Sequence, residues 1–223
     1  MACAMINIDL IIQSLPVLFS GLLISLKIAA CALTIGFCGG TILALLQTSD
    51  SPVFKTLVTA YVGLFRGTPM IVQIVFLYYV LSITGIALKP ITAAILAIGL
   101  NSMAYVSQII KAGIQSINKG QLEAAKTLGI KRRDMIRYII LPQAIRAVLP
   151  ALGNEAITLV KDSSLASIIG VPELYKQGQT IISHTYDALS IYCAIALFYL
   201  AITATLSFAI SRLETYLNPH AHH

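Results

Sequence analysis

The chain has 223 residues, of which 57% are hydrophobic and 11% charged, with a mean hydropathy of +0.85 and a formal net charge of +6 at pH 7. A soluble domain carries about 25% charged residues, so this composition excludes a water-soluble globular protein and points to an integral membrane protein. The basic excess lies mostly in one internal segment, so it argues neither for a nucleic-acid partner nor for acidic cargo.

In chain order, the first apolar region runs from Leu10 to Ser49 and is interrupted only by Lys27. No turn cluster breaks it and Pro16 suits the first turn of a helix, so one long helix is expected, with Lys27 snorkelling or facing protein; a hairpin of two spans is the alternative. No basic segment precedes a short apolar core, so a cleavable signal peptide is not expected. Gly36 and Gly40 form a G-x-x-x-G pattern, which permits close helix contact within the chain or with a second copy. Cys31, Cys38 and Cys193 fall in apolar runs without metal-ligand spacing and read as small hydrophobes.

Residues 52–69 read PVFKTLVTAYVGLFRGTP, with Phe54, Leu57, Val58, Tyr61, Val62 and Phe65 at near-helical spacing. They are expected to form an interfacial helix or an extension of the following span. Uncharged runs at 67–88, 90–110 and 188–211, like that at 28–49, can each cross about 30 Å of hydrocarbon as a helix. A fifth apolar region, 138–172, contains Pro142, Arg146, Pro150, Glu155, Lys161 and Asp162. The expected fold is therefore an all-α membrane protein with about five transmembrane helices.

Charge sets the expected orientation. Lys111, Lys119, Lys126, Lys131, Arg132, Arg133 and Arg137 cluster between the third and fourth spans, and basic loops stay in the cytoplasm. The N-terminus then lies outside and the C-terminus inside, with Lys89 and Lys176 as the basic residues of the outer loops. The cytoplasmic segment itself reads as two helical pieces. Asn118 is an acceptable N-cap, Leu122 to Leu128 suit a short helix, Gly129 fits the C′ position, and a second helix starts near Lys131 and ends near Pro142. Such a knob is suited to inserting into a partner's groove, although a basic loop that only fixes topology has the same charge.

The stretch EAAKTLGIKRRDMIRYIILP at 123–142 resembles the EAA signature of the membrane subunits of bacterial ABC importers, with Glu123, Ala124, Ala125, Gly129 and the Ile-Leu-Pro at 140–142 in matching places. RGTP at 66–69, LNSMAYVSQIIKAGIQSINKGQLEAA at 100–125, LPQAIRAVLPALGNEAITLVKDSSLASIIGVPEL at 141–174 and RLE at 212–214 resemble the polar amino-acid uptake branch of that family. The resemblance covers roughly residues 16–216. It implies a type I importer permease domain over 1–216, with a coupling loop at about 114–138 and a short tail at 217–223. It implies a multi-pass protein of the bacterial inner membrane, in contact with lipid, that pairs with an identical or similar permease. An ATP-binding cassette ATPase would grip Glu123, Ala124, Ala125 and Gly129 and hydrolyse the ATP, while an extracytoplasmic substrate-binding protein would deliver the amino acid. The chain lacks GxxxxGK[ST], so it is not expected to bind ATP through that motif, and no cofactor, metal or catalytic residue is assigned to it.

Ionisable groups inside a span are costly and usually face a cavity or a partner. Glu155 and Asp162, seven residues apart, share a helix face, with Lys161 about 100° away. The three are candidates for holding the ammonium and carboxylate of a zwitterion, or for a structural ion pair. Asn101, Ser102, Tyr105 and Gln108 put polar groups on the third span, with 101, 105 and 108 at i, i+4, i+7; they are candidates for lining the cavity, Asn101 and Tyr105 foremost, the alternative being hydrogen bonds between helices. Gln73 has the same two readings. The intramembrane charges also fit an ion-coupled secondary amino-acid transporter, but that class predicts inverted repeats with matching broken helices, and no convincing repeat is visible. A purely structural subunit would leave the cluster of Glu155, Lys161 and Asp162 without a purpose. The three histidines His220, His222 and His223 of the tail receive no role.

Overall fold

A computed structural model describes residues 6–49 and 51–217, so the histidine tail lies outside the described residues. Among the described residues there are eight helices and no strand: α1 (Ile8–Thr48), α2 (Pro52–Gly67), α3 (Met70–Ile83), α4 (Pro90–Gln115), α5 (Lys119–Thr127), α6 (Arg132–Ile169), α7 (Leu174–Thr185) and α8 (Ala188–Leu217). α1, α4, α6 and α8 are each long and apolar enough to cross a membrane.

The first apolar region forms one helix, as expected, but its start is set by Asn7 and not by Pro16. The Asn7 side chain accepts from the Leu10 N–H at 3.0 Å and Asp9 occupies the first turn, which leaves Pro16 in the helix interior. At 41 residues α1 is about 60 Å long, roughly twice the hydrocarbon thickness. Lys27 lies on its exposed face.

Close packing comes from small residues. Gly36 meets Ser102 and Gly40 meets Val106, so α1 and α4 run parallel and nearly backbone to backbone. The G-x-x-x-G pattern is thus used within the chain. Because α1 and α4 point the same way, the chain between them must return across the bundle, and α2 with α3 is the only segment that can do so. The return is broken: α2 and α3 meet at 104°. α2 runs antiparallel to α4: Lys55 lies beside Lys111 and Gln115 at one end and the Phe65 carbonyl meets Asn101 at the other, with Tyr61 Oη donating to the Leu100 carbonyl at 2.7 Å between them. It therefore packs along α4 and is joined to α3 through a sharp break, the form of a broken span or a re-entrant loop. The uncharged run at 67–88 accordingly does not form one full-length span.

α6 also departs from expectation. The helix that starts after Lys131 does not stop at Pro142 but continues to Ile169, through a π-helical turn at Ile136–Ile140 and a final 3₁₀ segment at Ser163–Ile169. Pro142 lacks an N–H and would clash with the carbonyl four residues back in a regular helix; the wider turn before it relieves that conflict. Pro150 sits inside the same helix and does not bound it.

Two apolar clusters hold the helices together. Ile28, Ala32, Ile74, Ala94, Ala97, Ile98 and Leu159 join α1, α3, α4 and α6, and Leu18, Leu22, Leu174, Ile191 and Ile195 join α1, α7 and α8. Between them lies a fully buried carboxylate. Glu173 caps α7 by accepting from the N–H groups of Tyr175 (2.9 Å) and Lys176 (2.8 Å), and also accepts from Ser25 of α1 and Tyr199 of α8, both at 3.3 Å.

A Cβ added at Gly36 would lie 2.8 Å from the Ser102 Cβ, whereas one at Gly63 meets nothing within 4 Å. Gly36→Val is expected to cost about 1–3 kcal/mol through overpacking, and Gly63→Ala to gain up to about 1 kcal/mol of helix propensity. Thermal unfolding of the isolated protein in detergent should move in opposite directions for the two variants.

Candidate functional site

The break between α2 and α3 creates the site. Gly67, extended Thr68 and Pro69 stop α2, because the residue before a proline avoids the helical region and Pro69 offers no N–H. Ending a helix inside an apolar bundle leaves carbonyls without partners, and two side-chain amides supply them. Gln73 Nε2 donates to the Phe65 carbonyl (2.9 Å), the Thr68 carbonyl (3.1 Å) and Thr68 Oγ1 (2.8 Å). Asn101 Nδ2 donates to the same Phe65 carbonyl (3.0 Å) and to Gln73 Oε1 (2.9 Å). Both residues therefore bond between helices, and Asn101 faces the cavity as well.

A cavity of about 340 Å³ opens against this break, lined by Thr68, Pro69, Met70, Asn101, Tyr105, Glu155, Thr158, Leu159 and Asp162. Four of the five side chains singled out for substrate from the sequence, Glu155, Asp162, Asn101 and Tyr105, come together here. Lys161, the fifth, is exposed and does not contribute to the lining, as its 100° offset from Asp162 on the helix dictates. Glu155 is held by Ser102, whose hydroxyl donates to Oε1 at 2.7 Å. The Arg66 guanidinium lies 5.2 Å from the centre of the Tyr105 ring and brings a cation to the rim. The cavity thus offers two carboxylates on one helix face, an amide, a phenol and a nearby guanidinium, a set that suits a small polar molecule bearing an ammonium group.

The sequence reading had not given this place to Thr68, Met70, Thr158 or Arg66. The signal was present in RGTP, where Arg, Gly and Pro together in an apolar run mark a broken helix rather than a lead-in to a span.

At the Lys111 end of α4, α5 begins at Asn118, whose side chain accepts from the Gly120 N–H at 2.8 Å. It ends in a Schellman motif: Gly129 takes φ +68°, its N–H bonds the Lys126 carbonyl, and the Ile130 N–H bonds the Ala125 carbonyl, both at 3.0 Å. Glu123, Ala124 and Gly129 are exposed, whereas Ala125 is buried against its own chain. Leu128, 78% exposed, is the apolar side chain that this corner presents.

Residues 36–223 match the family described as binding-protein-dependent transport system inner membrane component. The chain belongs to this family. The permease is 40% identical over 203 residues to the glutamine transport system permease protein of Escherichia coli (strain K12), covering 90% of this chain and 93% of that one. It is 38% identical to the nopaline transport system permease protein of Agrobacterium fabrum (strain C58 / ATCC 33970), with 96% and 93% covered, and 36% identical to the arginine transport system permease protein of Bacillus subtilis (strain 168), with 91% and 93% covered. Its fold matches a chain from the crystal structure of an amino acid ABC transporter with histidines at a TM-score of 0.91, with 38% identity and 95% and 99% coverage. An inward-facing methionine ABC transporter shares the fold at a TM-score of 0.76 and 20% identity, with 90% and 96% covered. The permease is a multi-pass membrane protein and a transport component rather than an enzyme, and its relatives are ABC importer subunits, not ion-coupled secondary transporters.

Asn101→Ala removes a donor shared by the Phe65 carbonyl and Gln73, and is expected to cost about 1–3 kcal/mol. Tyr105→Phe removes a hydroxyl from the cavity wall and should change stability by less than about 0.5 kcal/mol. Thermal unfolding of both variants in detergent checks the contrast.

Proposed function

We propose that this permease carries a polar amino acid through the bacterial inner membrane as part of an ATP-driven importer, working with an ATP-binding cassette ATPase, an extracytoplasmic binding protein and a second permease of the same or similar sequence. The N-terminus is outside, the C-terminus is cytoplasmic, and residues 1–216 act as one permease domain with its coupling loop at about 114–138. The observation that carries the substrate class is the convergence of Glu155, Asp162, Asn101 and Tyr105 on one cavity at a broken helix. The cavity volume lies at the lower end of the roughly 300–1,000 Å³ typical of small-molecule sites. Relatives named for glutamine, nopaline and arginine transport support a substrate with an α-amino and an α-carboxyl group.

In this reading Glu155 and Asp162 hold the ammonium of the amino acid, Ser102 keeps Glu155 aimed inward, and Tyr105 and Asn101 form the polar wall. Arg66 at the rim and the start of α3 meet the carboxylate, a role that the ends of broken membrane helices suit. Motion of α5 in the grip of the ATPase is transmitted through α4 and α6, the two helices that flank it and that carry the cavity. Glu123, Ala124 and Gly129 lie at that contact, with Leu128 as its apolar anchor. Ala125 supports the corner from within.

Reconstitution with the cognate ATPase and binding protein in liposomes, followed by a screen for amino acids that stimulate ATP hydrolysis, tests the reading; a complex that no amino acid stimulates would sink it. Glu155→Gln and Asp162→Asn should each weaken direct binding of the labelled amino acid to the permease about ten- to a hundredfold, the value of one charge-assisted hydrogen bond. Gly129→Val forces a β-branched residue into a left-handed conformation at a cost of about 1–2 kcal/mol, and should reduce both recovery of the ATPase in affinity purification and transport per ATP hydrolysed. Unchanged values in both assays would overturn the coupling role.

A further inference from the structure

The polar surface does not end at the cavity. On α4, Asn101, Tyr105, Gln108 and Gln115 stay within about 80° of one another around the helix, and on α2 Arg66, Thr59 and Lys55 fall within about 40°. The two stripes are joined partway down by α1: Gln108 Nε2 donates to Gln47 Oε1 at 3.1 Å, and Gln47 Nε2 donates to Thr59 Oγ1 at 3.4 Å. Below this bridge lies a second cavity of about 450 Å³, lined by Gln47, Thr48, Lys55, Thr59, Lys111 and Gln115.

The second cavity has the opposite chemistry to the first. It holds two ammonium groups and, among the described residues, no carboxylate lines it. Six residues separate Tyr105 from Lys111, so the two sites are about 9 Å apart along α4. A face with this many polar and charged groups is too costly to leave in hydrocarbon. α2 has a separate lipid-compatible face, where Val53, Leu57 and Leu64 are 61–62% exposed. The polar stripe therefore borders water.

We propose that the Lys55–Lys111 cavity is the inner exit of the translocation path and a transient binding site for the carboxylate of the departing amino acid. This rests on the amino-acid reading above. The acidic cavity holds the ammonium end while the lysines below draw the carboxylate toward the cytoplasm, so the molecule is passed between sites of opposite sign. Lysine suits a site that must release: its ammonium is a strongly hydrated point charge without the fixed fork that lets arginine grip a carboxylate in two places.

The test uses the complete transporter in liposomes of zwitterionic lipid. With Cys3, Cys31, Cys38 and Cys193 changed to Ser and Thr59→Cys added as a probe, a small anionic thiol reagent on the cytoplasmic side should react about tenfold faster than a cationic one of equal size. Lys55→Gln with Lys111→Gln should bring the two rates together, and a transported amino acid at high concentration on that side should slow the anionic reaction. In the background with native cysteines and Thr59, the Gln pair should lower the maximal uptake rate several-fold without changing the half-saturating concentration, and Lys55→Arg with Lys111→Arg should restore part of it. Equal labelling rates before the lysines are changed, or uptake unaffected by the Gln pair, would overturn the proposal. So would a labelling bias or uptake defect seen only when anionic phospholipid is present, which would assign the cavity to a lipid phosphate. If the unmodified transporter takes up no amino acid at all, the functional reading fails first and takes this proposal with it; normal uptake with an unaffected Gln pair removes this proposal alone.

Discussion

The constraint on which the structure turns is that a backbone interrupted inside an apolar bundle must find hydrogen-bond partners without help from bulk water. The chain breaks at Gly67–Pro69, and the Phe65 and Thr68 carbonyls freed by the break are taken up by the amides of Gln73 and Asn101. Without those two side chains the 104° corner would leave polar groups stranded, and a straight helix would close the space that the cavity occupies. Two amides of modest individual strength thus permit the irregularity that opens the cavity. Around the corner, the glycine contacts between α1 and α4 and the Glu173 carboxylate shared by α1, α7 and α8 hold the frame against which it is bent.

Much of this was legible in the residues. Long uncharged runs report helices that bury or shed their polar groups, and those at 28–49, 90–110 and 188–211 became helices at or near the expected bounds. The corner after α5 was equally readable, because Asn118 and Gly129 act locally and their roles follow from capping chemistry alone. Glu155 and Asp162 could be paired by spacing, since both lie on one unbroken stretch of helix.

What was not legible depended on partners distant in sequence. The run at 67–88 is apolar enough for a straight span, and only the amides of Gln73 and Asn101, one of them on another helix, make its broken form tolerable. Pro142 looked like a helix end because its cost in a regular helix is large; the π-helical turn that absorbs it involves Ile136 to Ile140 and leaves no compositional mark. Ala125 is buried because α5 folds back on the chain, which its residue type does not report.

The π-helical turn has a consequence for how the corner after α5 is set against α6. A turn with one residue more than regular winding offsets everything before it by about 100° around the helix axis from where regular spacing of the same residues would put it. Residues 132–135 and the corner they follow are thus clocked against the acidic face of α6 by the winding of this turn, not by any particular side chain. A chain one position shorter between 136 and 140 would close this turn to regular winding and leave the corner on the same edge, but Pro142 would then meet the carbonyl four residues before it.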